Sequence, residues 1–355
     1  MASTDDAGTK NQETIKPKRF NHIALGSVIA AFSVVLLHTN SFWSFTPDSE
    51  WLSKDIIECI IYFAVPVFFM NCGVTNIDYR EKYSTKEFLK RRFTKTFIPY
   101  VFWTLMGLLF NIVNHFTKIS EITPGFLIRG FIENRIVITF WFFWPLFGIY
   151  LCMPLISLIP KDKRLSIFKY MIAIGMIFDI IPRFVSEVFS LNMTSPITVL
   201  TGSEYVLYVF IGYVIAHSDI RLSRRIVIYV FGLAAMLVHL IGTYRLSMAA
   251  GYIVDTYKGY TKLICFIYSA AAFLLIKQIS ARIKSEKAWK IINKAATYTF
   301  PVYLMHTFFI SMSTQLGVTM GSPFYRFAMP FIAILLCVIV AENVRKVPVI
   351  KHLLP

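Results

Sequence analysis

The sequence predicts an all-α integral membrane protein, a single bundle of about ten transmembrane helices with both termini in the cytoplasm. Three observations predict it. Of 355 residues, 56% are hydrophobic and only 16% charged, and the mean hydropathy is +0.60; soluble domains carry about 45–50% apolar and about 25% charged residues. The apolar residues form continuous runs near the roughly 20 residues that one helix needs to cross a bilayer, without the alternation of barrel strands. The basic residues between the runs are shared unequally between the two sides, as cytoplasmic loops require.

The first run, about 22–43, follows a polar stretch from Met1 to Phe20. It is too long for a signal-peptide core and lacks a small-residue cleavage site, so it reads as a retained span behind a cytoplasmic tail. The second, about 55–77, contains VPVFFMNCG (Val65 to Gly73), and the third, about 96–116, opens on Lys90-Arg91-Arg92-Phe93-Thr94-Lys95. The fourth, about 136–158, holds FWFFWPLFGIYLCMPLIS (Phe140 to Ser157); the fifth, about 168–190, is interrupted by Asp179, Pro182 and Arg183. The sixth, about 203–217, is short, and the last four cover about 226–246, 260–277, 295–315 and 324–342.

With the N-terminus inside and ten spans alternating, 27 of the 36 basic residues fall on the cytoplasmic side, and an odd span count scrambles that bias. The expected organisation is an N-terminal tail (1–20), one transmembrane domain (21–345) and a C-terminal cytoplasmic tail (346–355). The formal net charge of +16 is then the charge of inner loops, not a nucleic-acid surface. The five cysteines (Cys59, Cys72, Cys152, Cys265, Cys337) contain no CxxC, and His, Cys and carboxylate residues do not cluster at metal-ligand spacing. No Gly-rich phosphate loop, G-x-S-x-G, H-E-x-x-H or D-x-D motif is present.

Ionisable residues at bilayer depth are costly and therefore functional candidates. His38 closes the first span ahead of Thr39 and Asn40. A desolvated, neutral imidazole there can act as a general base, or it is an interfacial histidine. Arg92 and Lys95, three apart on a helix, can hold a phosphate or pyrophosphate, or they are ordinary inner-side charge. Asp179 and Arg183, at i and i+4, form an ion pair or line a polar cavity. Tyr303 and His306 lie three apart on the ninth span, within TFPVYLMH (Thr299 to His306).

In that order these segments resemble the acyltransferase-3 family of membrane-bound acyltransferases, over nearly the whole chain. His38-Thr39 is similar to the histidine that closes the family's first span, and Val65–Gly73 to its "VPLFFFISG". KRRFTKTFIPYVFW (Lys90 to Trp103) resembles the basic opening of its third span, and Phe140–Ser157 its "LWFL…YL..PL" segment. FIGYVI (Phe210 to Ile215) resembles its "FxxGxxL" and Thr299–His306 its "xxIYLLH". Where the family carries polar residues, this chain has Ala24, Ser27 and Thr139, an arginine being usual at position 27.

The resemblance implies an O-acyltransferase, in most cases an O-acetyltransferase, of the bacterial plasma membrane. It implies cytoplasmic acyl-CoA, usually acetyl-CoA, as donor and a hydroxyl of a surface polysaccharide or glycolipid as acceptor, with no metal. His38 is then base or acyl carrier. Arg92 and Lys95 hold the CoA phosphates, Tyr303 and His306 shape the cavity, and Asp179 and Arg183 contact the acceptor. The rival reading is a non-catalytic relative or a transporter of a lipid-linked glycan or small solute, and the loss of arginine at position 27 is its support.

Overall fold

The computed structural model describes residues 21–191, 204–348 and 350–354, and these are helices joined by short loops, with no strand among the described residues. The expected N-terminal tail, 1–20, lies outside them. Each of the ten apolar runs falls on helix. The first is α1 (Asn21–Thr39); the second spans α2 (Ser49–Ile61) and α3 (Ala64–Asn76); the third lies on α4 (Thr85–Arg92) and α5 (Ile98–Val113). A short α6 (Pro124–Ile132) precedes the fourth run on α7 (Phe143–Ile156), and the fifth lies on α8 (Lys161–Gly175) and α9 (Ile181–Val188). The remainder are α10 (Glu204–His217), α11 (Leu222–Ala250), α12 (Leu263–Arg282), a surface helix α13 (Glu286–Ala296), α14 (Thr299–Gln315) and α15 (Met329–Lys346).

Among the described residues, eight helical stretches are long and apolar enough to cross a membrane. The two remaining runs form α10 and α14, of 14 and 17 residues. The outward surface is apolar: Leu151 is 69% exposed, Leu155 71% and Phe231 62%. Water would penalise so continuous an apolar belt, whereas lipid does not.

Prolines explain the helix irregularities. Proline lacks an N–H and its ring crowds the carbonyl four residues back. Just ahead of Pro99, Pro182 and Pro330, the N–H of Ile98, Ile181 and Met329 instead reaches five residues back, to Phe93, Met176 and Phe324. One π-helical turn therefore precedes each proline. Pro66, which has no N–H to give the carbonyl of Tyr62 four residues back, stands where α2 ends and α3 begins. At the other end of α2, Asp48 accepts the Trp51 backbone N–H at 3.0 Å, which holds its carboxyl below its ordinary value.

The centre of the bundle is the crossing of α3 and α10. A Cβ on Gly73 would lie 2.2 Å from the Val209 carbonyl oxygen, and one on Gly212 2.4 Å from that of Met70. Both glycines belong to the segments that carry the family resemblance. They let two backbones touch where lipid supplies no hydrophobic drive to hold helices together. Behind α15 the chain folds back: Leu354 is fully buried, Trp103 Nε1 donates to the Leu353 carbonyl at 3.1 Å, and Arg345 Nε donates to that of Leu354 at 3.1 Å.

Candidate active site

Two cavities lie toward opposite ends of α1. Ile23 lines one and His38 the other. Ile23 and His38 are fifteen residues apart on that helix, about 22 Å at 1.5 Å per residue.

The first cavity, of about 400 Å³, has Arg92, Lys95 and Thr96 on one wall and Asn71, Thr75 and Asn76 of α3 on another. The π turn Phe93–Phe97 ahead of Pro99 sets Arg92 and Lys95 on this wall. Arg92 is half-buried, its guanidinium carbon 5.3 Å from the Phe88 ring centre and 5.5 Å from that of Tyr150. These rings hold the cation in place without neutralising it, and its Nε has no hydrogen-bond partner.

The second cavity, of about 380 Å³, contains His38, whose ring is accessible from it. The fully buried His306 packs beside it, ring centres 5.1 Å apart. His306 Nδ1 lies 2.8 Å from the Val302 carbonyl, which can only accept, so Nδ1 carries the proton. In the neutral ring Nε2 is then a lone-pair acceptor, and it is buried with no partner. The opposite wall is aromatic, with Tyr62 and Tyr260 stacked at 4.4 Å and Tyr260 and Trp141 at 5.3 Å.

Glu58 and Lys258 line the same cavity and form an ion pair at 2.7 Å, their side chains 5% and 3% exposed. The Lys258 ammonium also sits 3.9 Å from the centre of the Tyr62 ring. Burying both charges costs more than their attraction returns unless further bonds satisfy them. Asn40 Nδ2 supplies one at 3.5 Å to Glu58, and Arg326 Nη2 donates to Asn40 Oδ1 at 3.3 Å.

Phe142 and Tyr303 line both cavities and form the wall between them. Tyr303 donates its hydroxyl to the Thr139 carbonyl at 2.6 Å. Its ring lies 5.6 Å from Phe142, 5.4 Å from Phe143 and 6.2 Å from His306. The wall is therefore continuous with the histidine pair.

Of the residues singled out in the sequence, His38, Tyr303 and His306 come together, and Arg92 and Lys95 share the neighbouring cavity. Asp179 and Arg183 line neither of the two. They pair with each other at 2.9 Å, and Arg183 also binds Glu204 at the start of α10. Sequence reading missed Glu58 and Lys258. Glu58 was detectable, since it falls inside the second apolar run; Lys258 lies in the loop before the eighth and gave no signal.

The fold defines a helical membrane protein, and these two adjoining cavities carry charged and polar side chains on largely apolar linings. A family model described as an acyltransferase domain matches residues 27–342, nearly the whole chain, and the chain belongs to that acyltransferase-3 family. Neither the search of curated proteins nor that of solved structures found a match.

Proposed function

We propose that the protein is an O-acyltransferase, carrying an acetyl group from cytoplasmic acetyl-CoA to a hydroxyl of a surface polysaccharide or glycolipid precursor in a bacterial plasma membrane. The observation that carries this reading is the pair of cavities that share Phe142 and Tyr303 in their linings, one bearing Arg92 and Lys95 and the other His38. Arg92 and Lys95 bind the CoA phosphates, and the thioester arm reaches the wall. His38 removes the acceptor hydroxyl's proton; the oxygen attacks the thioester carbonyl, and CoA leaves as thiolate, which takes up a proton. Alternatively His38 carries the acyl group briefly as an acyl-imidazole. The stacked Tyr62, Tyr260 and Trp141, with Glu58 and Lys258, suit a carbohydrate, which offers apolar ring faces and many hydroxyls. Asp179 and Arg183 fasten the outer ends of their helices.

The purified protein in lipid vesicles, given acetyl-labelled acetyl-CoA and glycan or glycolipid extracts of bacterial cells, should release CoA and label the glycan fraction. Absence of both binding and transfer with every extract would return the protein to the inactive-relative or transporter reading.

The topology that goes with this mechanism has ten crossings, α10 and α14 included, and both termini inside. A reporter fused after Pro355 should be active only on the cytoplasmic side. Activity confined to the outer side would refute it.

A further inference from the structure

The inner cavity carries a second polar atom that the mechanism above leaves unused. Asn71 is 6% exposed and lines the cavity with Arg92 and Lys95, and its Oδ1 has no hydrogen-bond partner. The orientation of its amide follows from its neighbours. The Ile23 carbonyl, 3.3 Å away, can only accept, so the atom facing it is the Nδ2 amine, which also donates to Ser27 Oγ at 3.0 Å. Oδ1 is thereby left as a buried acceptor without a donor in a residue of the cavity lining, which is unfavourable.

We propose that Asn71 Oδ1 accepts a hydrogen bond from an amide N–H of the donor's pantetheine arm, making Asn71 a donor-recognition residue. The inference rests on the acyl-CoA reading of this cavity. The chemistry matches in kind. CoA presents anionic phosphates, then a neutral arm with two secondary amides, then the thioester. The cavity's lining offers the same three kinds of surface: the cations Arg92 and Lys95, the neutral Asn71 and Thr75, and the aromatic Phe142 and Tyr303. Arg92 Nε is an unsatisfied donor suited to an anion, and Asn71 Oδ1 an unsatisfied acceptor suited to an amide. Ser27, in place of the usual arginine, then serves to hold the Asn71 amide in its working orientation.

The test uses the full-length protein in lipid nanodiscs, with CoA and two CoA analogues as probes, each analogue replacing one amide N–H of the arm with an ester oxygen. Wild type should bind one of the analogues about tenfold more weakly than CoA, as expected for one buried hydrogen bond. Asn71→Leu should bind CoA about tenfold more weakly and no longer distinguish that analogue. The wild-type comparison stands even where the variant does not fold. If wild type binds both analogues as well as CoA, or Asn71→Leu binds CoA as tightly as wild type, the Asn71 assignment is wrong and the donor cavity survives. If wild type binds no CoA, the donor reading falls with it.

Discussion

His38→Ala should reduce acyl transfer by at least about 10²-fold, the loss expected when a general base is removed. The variant should still insert, because the His38 ring faces a cavity and fills no core position. His306→Ala should cost less. His306 is fully buried beside His38 and lines neither cavity, so its loss alters the setting of the His38 ring but leaves that ring present. The measurement is release of CoA and labelling of the acceptor at matched protein levels. Wild-type turnover in His38→Ala would remove the histidine from the chemistry.

Arg92→Ala combined with Lys95→Ala should weaken CoA binding about 10²-fold, since two charge-assisted contacts to phosphate disappear together. Wild-type affinity should also fall as salt rises, because Lys95 is exposed and its attraction is screened. The double variant should show little salt dependence. Calorimetric titration of CoA at low and high salt reads both effects. Equal affinity in the two proteins would leave these residues as ordinary inner-side charge.

Much of this architecture is legible in the sequence, for a physical reason. Bilayer hydrocarbon demands apolar runs of a set length, so the sequence advertises them, and all ten runs are helices. The same cost flags His38 and His306, because an ionisable group in such a run needs a reason to be there. Partnership was not legible. Glu58 carries the same flag as His38, but its partner Lys258 lies 200 residues away in a loop, and hydropathy carries no information on that distance. Asp179 and Arg183 were legible as an i,i+4 pair; that Glu204 binds Arg183 on the far side of an intervening segment was not. The π turns were half legible. Pro182 announces a break, but whether the helix kinks, stops or widens depends on what packs around it.

The wall of Phe142 and Tyr303 has an electrical consequence. On the proposed topology the cavities with Arg92 and with His38 open toward opposite faces, and water in both would concentrate the membrane potential on the layer between them, at this aromatic pair. An ion crossing there would gain or lose about 2.3 kcal/mol per unit charge for each 100 mV. If the proton that His38 takes from the acceptor passes to the departing CoA thiolate, acyl group and proton exchange across that layer with no net charge moved, while polyanionic CoA stays on its own side. On the proposed reading, acylation of an outward-facing sugar consumes none of the cell's membrane potential, and sealing the protein into a planar bilayer should add no conductance.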